Sequence, residues 1–442
     1  MMSEQREVLN EGLLKIRAGR MTRRTFLERA VAVGLSTSAA ASLLEACGGS
    51  SSAINIVWTS EFGRAKLYQK YVDMFNRTNR DGIHVTYIES QPAMHLMRDN
   101  YGLMFRAHAG TIDILSMDIP WPIEYGANGW LVPFDEKWPQ SERAQYFPEP
   151  VRTCTYVGKV WAAPFSTEVG LLYYRKDLIA TPPPTWSQLT ALAKSAQSRI
   201  QDGYVWQGNG YEGLACNFVE VLSGYGGAIL DQSNARRVVV NSPEAVQALT
   251  EMVSWVGTIS PPSVTTFEEG SSLQVWQAGV AAFMRNWAYA IAPGNDSSVS
   301  KVAGKFAVSA LPAGGSTMQG HGCVGGWHLG INAFSKNPDA AWTFLHYLLS
   351  ADEQKSLILS QSGFATLQSV YEDPEVIAHI PFVGRIKSIF LTALPRPISP
   401  VYQDMSPALQ LRVYEALTKQ RSAADALHTL QADLQTIVSK SV

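Results

Sequence analysis

A chain of 442 residues with 36 Lys and Arg against 38 Asp and Glu has no strong field of either sign, which argues against nucleic acid as a partner. With 46% hydrophobic and 17% charged residues it has the composition of a packed globular protein. Its length exceeds what one hydrophobic core organises, so two lobes are expected.

The first segment with a readable purpose is Thr22-Arg23-Arg24-Thr25-Phe26-Leu27, which matches the twin-arginine export signal. The apolar run that follows, Ala30 to Leu44, is 15 residues long and interrupted by Gly34, Ser36, Thr37, Ser38 and Ser42. A spanning helix needs about 20 apolar residues, so the run reads as a signal peptide over residues 1–46 and not as an anchor helix. It closes on Leu44-Glu45-Ala46-Cys47, similar to the lipobox of bacterial lipoproteins, with Glu45 where a small or apolar residue is usual. Cys47 is therefore expected to be lipidated, and residues 47–53, Gly/Ser-rich, to form a tether. A soluble protein cut at a nearby small residue is the alternative.

Beyond Cys47 the pattern is α/β. Ile54–Trp58 is β-branched and reads as a strand, Leu67, Tyr71, Val72, Met74 and Phe75 recur at helical spacing, and Ile83–Ile88 alternates like a second strand. A parallel strand pair with a helical crossover is the expected result. Ile112–Met117 reads as a third strand ending at Asp118, the end at which open α/β sheets gather ligands. Leu171–Tyr174 and Val280–Met284 read as strands, and 186–198, 337–349 and 406–438 as helices. The chain is expected to cross between lobes near Ala163-Pro164-Phe165 and Ala292-Pro293-Gly294. All 12 Trp lie after Cys47; most are expected in cores, and two or three in a site, where a flat ring covers the C–H face of a sugar. Cys154, Cys216 and Cys323 form no metal or disulfide pattern and read as small buried side chains.

The order of these motifs resembles the extracellular solute-binding proteins of ABC sugar importers, especially the trehalose/maltose branch. The segments that carry the resemblance are Asp113–Trp121, Trp161–Arg175, Tyr211–Leu214, Glu268-Glu269-Gly270, Arg285–Tyr289, Gly325-Gly326-Trp327 and Arg396-Pro397. It implies a two-lobed α/β fold of the periplasmic-binding-protein type (type II), with lobe 1 at 54–164 and 295–350 and lobe 2 at 165–294 and 351–442. It implies as well that a ligand cleft lies between the lobes, which would close like a hinge and deliver the sugar to the permease subunits. It further implies a monomer without enzymatic activity or cofactor, held by the Cys47 lipid on the outer face of the cytoplasmic membrane or free in the periplasm.

A disaccharide presents hydroxyls and apolar ring faces, so carboxylates, a guanidinium and aromatic rings suit it. The positions that match the family's site are Glu61, Asp118, Glu168, Glu269, Trp287, Tyr289, Gly326 through its backbone, Trp327 and Arg396. Glu168 stands where the disaccharide branch has Asp or Asn, and its extra methylene bears on which sugar fits. Glu61 could instead cap the following helix, Asp118 could bond a local amide, and either Trp could be core. His321 and His328 bracket Cys323, yet no closed set with zinc-like spacing appears, so no metal is expected. Two rival functions stay open: an exported carbohydrate-active enzyme, although G-x-S-x-G, H-E-x-x-H and P-loop motifs are missing, and a binding protein for a non-sugar ligand such as a polyamine or a metal chelate. Arg396 speaks against a cationic ligand.

Overall fold

The computed structural model describes residues 54–91, 94–231, 233–360, 363–380 and 382–440. The twin-arginine motif, Cys47 and the tether lie outside them. The chain forms two compact units: one of residues up to Ser116 with Trp130–Val132 and Leu329–Glu353, the other of Met117–Gly129, Pro133–His328 and Gln354 onward. Among the described residues, no helix is long and apolar enough to cross a membrane.

In the first unit, β1 (Ile54–Ser60), α1 (Ala65–Thr78), β2 (Ile83–Glu89), α2 (Met94–Arg106) and β3 (Ile114–Asp118) follow one another. The strand order is β2-β1-β3, and β1 pairs in parallel with both neighbours, Ile54 opposite Ile83 and Trp58 opposite Ile114. The helical stripe of α1 is Tyr68, Tyr71, Val72 and Phe75; Met74, expected on it, is 40% exposed. Trp58 is fully buried against Tyr68, Tyr87 and Phe344, with ring centroids 4.9, 5.3 and 5.6 Å away. Asp113 ties β3 to its surroundings by accepting the Val57 N–H at 2.7 Å and the Ser335 hydroxyl.

In the second unit, a hairpin of β4 (Thr155–Tyr156) and β5 (Lys159–Val160) leads into β6 (Ala163–Arg175), buried over nearly its whole length. The order is β10-β6-β8-β7, where β7 is Asp202–Val205, β8 Ala281–Trp287 and β10 Val324–Ile331; β9 (Phe306–Ser309) and β11 (Phe364–Ala365) also pair with β6. Around this sheet pack α3 (Trp186–Ala196), α4 (Glu212–Gly224), α5 (Pro243–Trp255) and α6 (Glu269–Gln277), with α7 (Tyr402–Leu417) and α8 (Ala423–Ser439) nearest the C-terminus. Thr185 and Ser242 cap α3 and α5 through their hydroxyls. Trp186, Trp206 and Trp255 fill one core with Leu189, Leu249 and Leu430.

Several expectations change here. Ala163-Pro164-Phe165 forms the start of β6, and Ala292-Pro293-Gly294 lies in a short helix, Ile291–Asn295. Residues 133–164 and 295–328 group with the second compact unit. The single helix expected over 406–438 is two: Lys419 turns to φ 59° and Ser422 caps a new helix by accepting the Asp425 N–H at 3.1 Å.

The β4–β5 turn is Val157-Gly158, with φ of 48° and 72°. A two-residue hairpin wants positive φ at both central positions, which suits Asn and Gly, while a β-branched side chain there is strained. Val157 is 81% exposed and contributes little packing. Val157→Asn is therefore expected to raise stability by about 1 kcal/mol in urea unfolding, and a loss of stability would contradict this account.

Candidate functional site

In the first unit, Glu61 follows β1 and is 6% exposed. It does not cap α1. The parallel register sets Ser60 opposite Glu89, and Glu89 Oε1 accepts the N–H groups of Gly63, Arg64 and Ala65 at 2.8, 3.1 and 3.0 Å. Glu61 Oε1 instead accepts the Tyr68 hydroxyl at 2.7 Å, and Oε2 is buried with no hydrogen-bond partner among the described residues. Burial pushes this carboxyl up to about 7 against the opposing effects of Tyr68 and Arg64.

The other expected residues fall in the second unit, in two groups. Arg396, in the Pro395-Arg396-Pro397 segment and 4% exposed, forks onto Asp118, Nη1 to Oδ2 and Nη2 to Oδ1, both at 2.8 Å. Nη1 also reaches Glu212 Oε1 at 2.7 Å. Asp118 takes the local amide as well, accepting the Ile119 N–H at 2.8 Å. Glu212, the first residue of α4, further accepts from Tyr402 at 2.6 Å, from Gln410 at 3.2 Å and from the Ser406 hydroxyl. Burial works to raise its carboxyl, but Arg396 and the Ser406 and Tyr402 hydroxyls outweigh that and hold it below the ordinary range. A cavity of about 380 Å³ borders this group; of the expected residues only Arg396 lines it, beside Arg152, Ser223 and Asp231.

The second group surrounds Trp287, the last residue of β8. Its indole Nε1 donates to Glu269 Oε1 at 3.1 Å, and Tyr211 donates its hydroxyl to Glu269 Oε2 at 2.7 Å. Glu168 Oε2 accepts the Tyr289 N–H at 3.0 Å. Gly325 lies so close to the Trp287 benzo edge that a Cβ there would stand 2.9 Å from it, and 3.3 Å from the Glu168 Cβ. At Gly326, φ is 114° and a Cβ would come 2.2 Å from the Ser166 carbonyl, so only glycine fits against β6. Trp287 and Trp327 both keep partial exposure, unlike the fully buried core indoles.

Two histidines have ordinary duties: His328 Nε2 meets Thr153 Oγ1 at 2.8 Å and His321 Nδ1 meets the Thr392 carbonyl at 2.7 Å. Burial, with Arg396 nearby, pushes His328 down to about 3. Cys154, Cys216 and Cys323 are free and buried. Among the described residues no group of three or more His, Cys, Asp or Glu could hold a metal ion.

Sequence reasoning missed Tyr211 and Glu212 as working residues, although both stand in a motif it singled out. It also missed Arg285, which lies over the Trp287 ring, and Glu220, which pairs with Arg285. Arg285 is two residues before Trp287, hence on the same strand face, and Glu220 is a charge inside Phe218-Val219-Glu220-Val221-Leu222, which is the signal that could have found it.

Two α/β units, with carboxylates, a forked guanidinium and a partly exposed indole gathered on one of them, define a protein built to hold a polar solute. The sequence profile of the bacterial extracellular solute-binding protein family matches residues 60–355, and the chain belongs to that family. A probable ABC transporter-binding protein of Deinococcus radiodurans is 38% identical over 364 residues, covering 79% of this chain and 84% of the relative. The structure of maltose-bound T. maritima MalE3 superposes with a TM-score of 0.79 at 35% identity, over 87% of this chain and all of that one. A ribitol-bound solute-binding protein from Agrobacterium radiobacter gives a TM-score of 0.76 at 25% identity, over 87% and 98% of the two chains. The mannitol-binding protein of Pseudomonas aeruginosa is 25% identical over 288 residues, 62% of this chain and 64% of the relative. Two of these relatives carry the name of ABC transporter binding proteins.

Proposed function

We propose that this protein captures a disaccharide such as trehalose or maltose for an ABC importer, closing over it and presenting it to the permease. The observation that carries the reading is Trp287: a partly exposed indole, fixed at its Nε1 edge by Glu269 and at its benzo edge by Gly325, beside Glu168 and Tyr289. A flat ring flanked by carboxylates suits a pyranose, whose C–H face stacks while its hydroxyls donate. Asp118, Arg396, Trp327, the Gly326 backbone and Glu61 are proposed as further contacts. The maltose complex of the T. maritima relative supports a ring sugar. The ribitol- and mannitol-binding relatives favour a second reading, an acyclic polyol, which has no ring face to offer Trp287. Export through the twin-arginine signal and lipidation at Cys47 are part of the proposal, and mass spectrometry of the mature N-terminus tests the lipid directly.

A thermal-shift panel of trehalose, maltose, ribitol and mannitol identifies the ligand, since one present at 100 times its Kd adds about 2.7 kcal/mol of stability. Trp287→Ala and Asp118→Ala are each expected to weaken disaccharide binding at least tenfold in calorimetric titration, about 1.4 kcal/mol. If both folded variants bind like wild type, the site is misplaced; release of glucose from any sugar on the panel would point to an enzyme instead.

A further inference from the structure

Behind Trp287 lies a deeply buried ion pair. Arg285 is 0% exposed and its guanidinium carbon stands 4.1 Å from the Trp287 ring centroid, over the face of the ring. Since Arg285 is sealed from water while Trp287 is not, the exposed part of the indole is turned away from the guanidinium.

The guanidinium is itself held on three sides. Arg285 Nε donates to Glu220 Oε2 at 2.8 Å, Nη2 donates to Glu220 Oε1, and Nη1 donates to Gln207 Oε1 at 3.0 Å. Glu220, 2% exposed, also accepts the Cys323 N–H at 3.0 Å, two residues before the Gly325 that touches the far edge of the indole. Gln207 donates back to the Arg285 carbonyl at 3.0 Å and to Ser272 at 2.7 Å. A Cβ on Gly170 would come 1.8 Å from Glu220 Oε1, so the sheet leaves this carboxylate just enough space.

From this arrangement we propose that the Arg285–Glu220 pair is a positioning device for sugar recognition: a rigid planar slab that holds the Trp287 ring flat and presents its other face to a pyranose. This rests on the reading of Trp287 as the stacking surface. Arg285 reaches no ligand, because the ring covers it and its donors face Glu220 and Gln207. Its contribution is to order the indole before the sugar arrives, so that binding does not bear the cost of immobilising it. A cation above an aromatic face within about 6 Å is attracted to it, and a delocalised planar cation stacks where an ammonium cannot. Glu220 keeps that cation electrically balanced in a buried place.

Two variants remove the slab differently. Arg285→Lys keeps a charge for Glu220 but not the planar stack, and Arg285→Met with Glu220→Leu removes both charges so that neither is left alone. Any variant that melts cooperatively is expected to bind maltose, or whichever sugar the panel selects, about tenfold more weakly or worse. It should also lose the near-ultraviolet circular dichroism that Trp287 contributes, taken as wild type minus Trp287→Ala. A folded variant that keeps both overturns the proposal. Should neither variant fold, wild-type protein labelled with fluorotryptophan decides: the Trp287 fluorine resonance, assigned with Trp287→Phe, should be a single narrow line without sugar, and a broad or doubled line overturns the proposal. Trp287→Ala separates the two levels of argument. If it binds sugar like wild type, the stacking reading itself fails; if it loses binding while the slab-free variants keep it, only the positioning role fails.

Discussion

Arg396→Met should destabilise the protein by about 3–5 kcal/mol, among the largest effects of any single substitution in this chain. The guanidinium is the common cation of Asp118 and Glu212, with three hydrogen bonds of 2.7 or 2.8 Å, in a place where Arg396 is 4% and Asp118 8% exposed. Methionine fills similar volume but leaves two carboxylates near each other without a cation, and each must then ionise at a cost or take up a proton. Removing those charges too, as Asp118→Asn/Glu212→Gln/Arg396→Met, should restore most of the loss, because an uncharged cluster avoids the unpaired state. Urea unfolding of the two variants checks this. A loss below about 1 kcal/mol in the single variant would mean that the fork is solvated in solution and worth no more than a surface pair.

Glu61 should make the protein less stable as pH rises from about 4.5 towards 7. Its carboxyl is pushed up to about 7 in the folded chain by burial, from an ordinary value of 4.5. Between those values the folded state holds the proton more tightly than the unfolded state, so raising the pH costs stability, and above about 7 the full penalty is in place. A shift of this size corresponds to about 3 kcal/mol. Glu61→Gln, which keeps the Tyr68 hydrogen bond without a titrating group, should be more stable than wild type at pH 8 by about 1–3 kcal/mol and nearly equal to it at pH 4. Melting curves across that range are sufficient. Equal stability of the two proteins at pH 8 would show that Glu61 is hydrated and its carboxyl ordinary.

The parts of this protein that were legible in its sequence are those that local chemistry decides. The parallel β1–α1–β2 unit followed from β-branched runs around a helical stripe, and Asp118 from its place at the end of a strand. Asp118, Arg396, Trp287 and Glu269 were singled out by motif order and not by periodicity, and which of them pair, Asp118 with Arg396 and Trp287 with Glu269, only the fold shows. What stayed hidden depends on register or on long-range packing. That Glu89 caps α1, leaving Glu61 to Tyr68, follows from Ser60 lying opposite Glu89, which no local pattern states. The first half of β6 was obscured by Pro164 and Gly170, residues that ordinarily argue against a central strand. The break between α7 and α8 had a local signal, the polar run Thr418–Ser422, which the surrounding Ala and Leu outweighed.

Tyr211 and Glu212 are consecutive residues at the start of α4, one bonded to the Glu269 that secures Trp287 and the other to the Arg396 fork. A single peptide unit is thus the shared abutment of both groups. Their spacing is inherited from the stiffness of a helix, like two jaws bolted to one bar. Glu168 is joined to Tyr289 on other elements, so a substitution there changes the surroundings of Trp287 and leaves the bar in place.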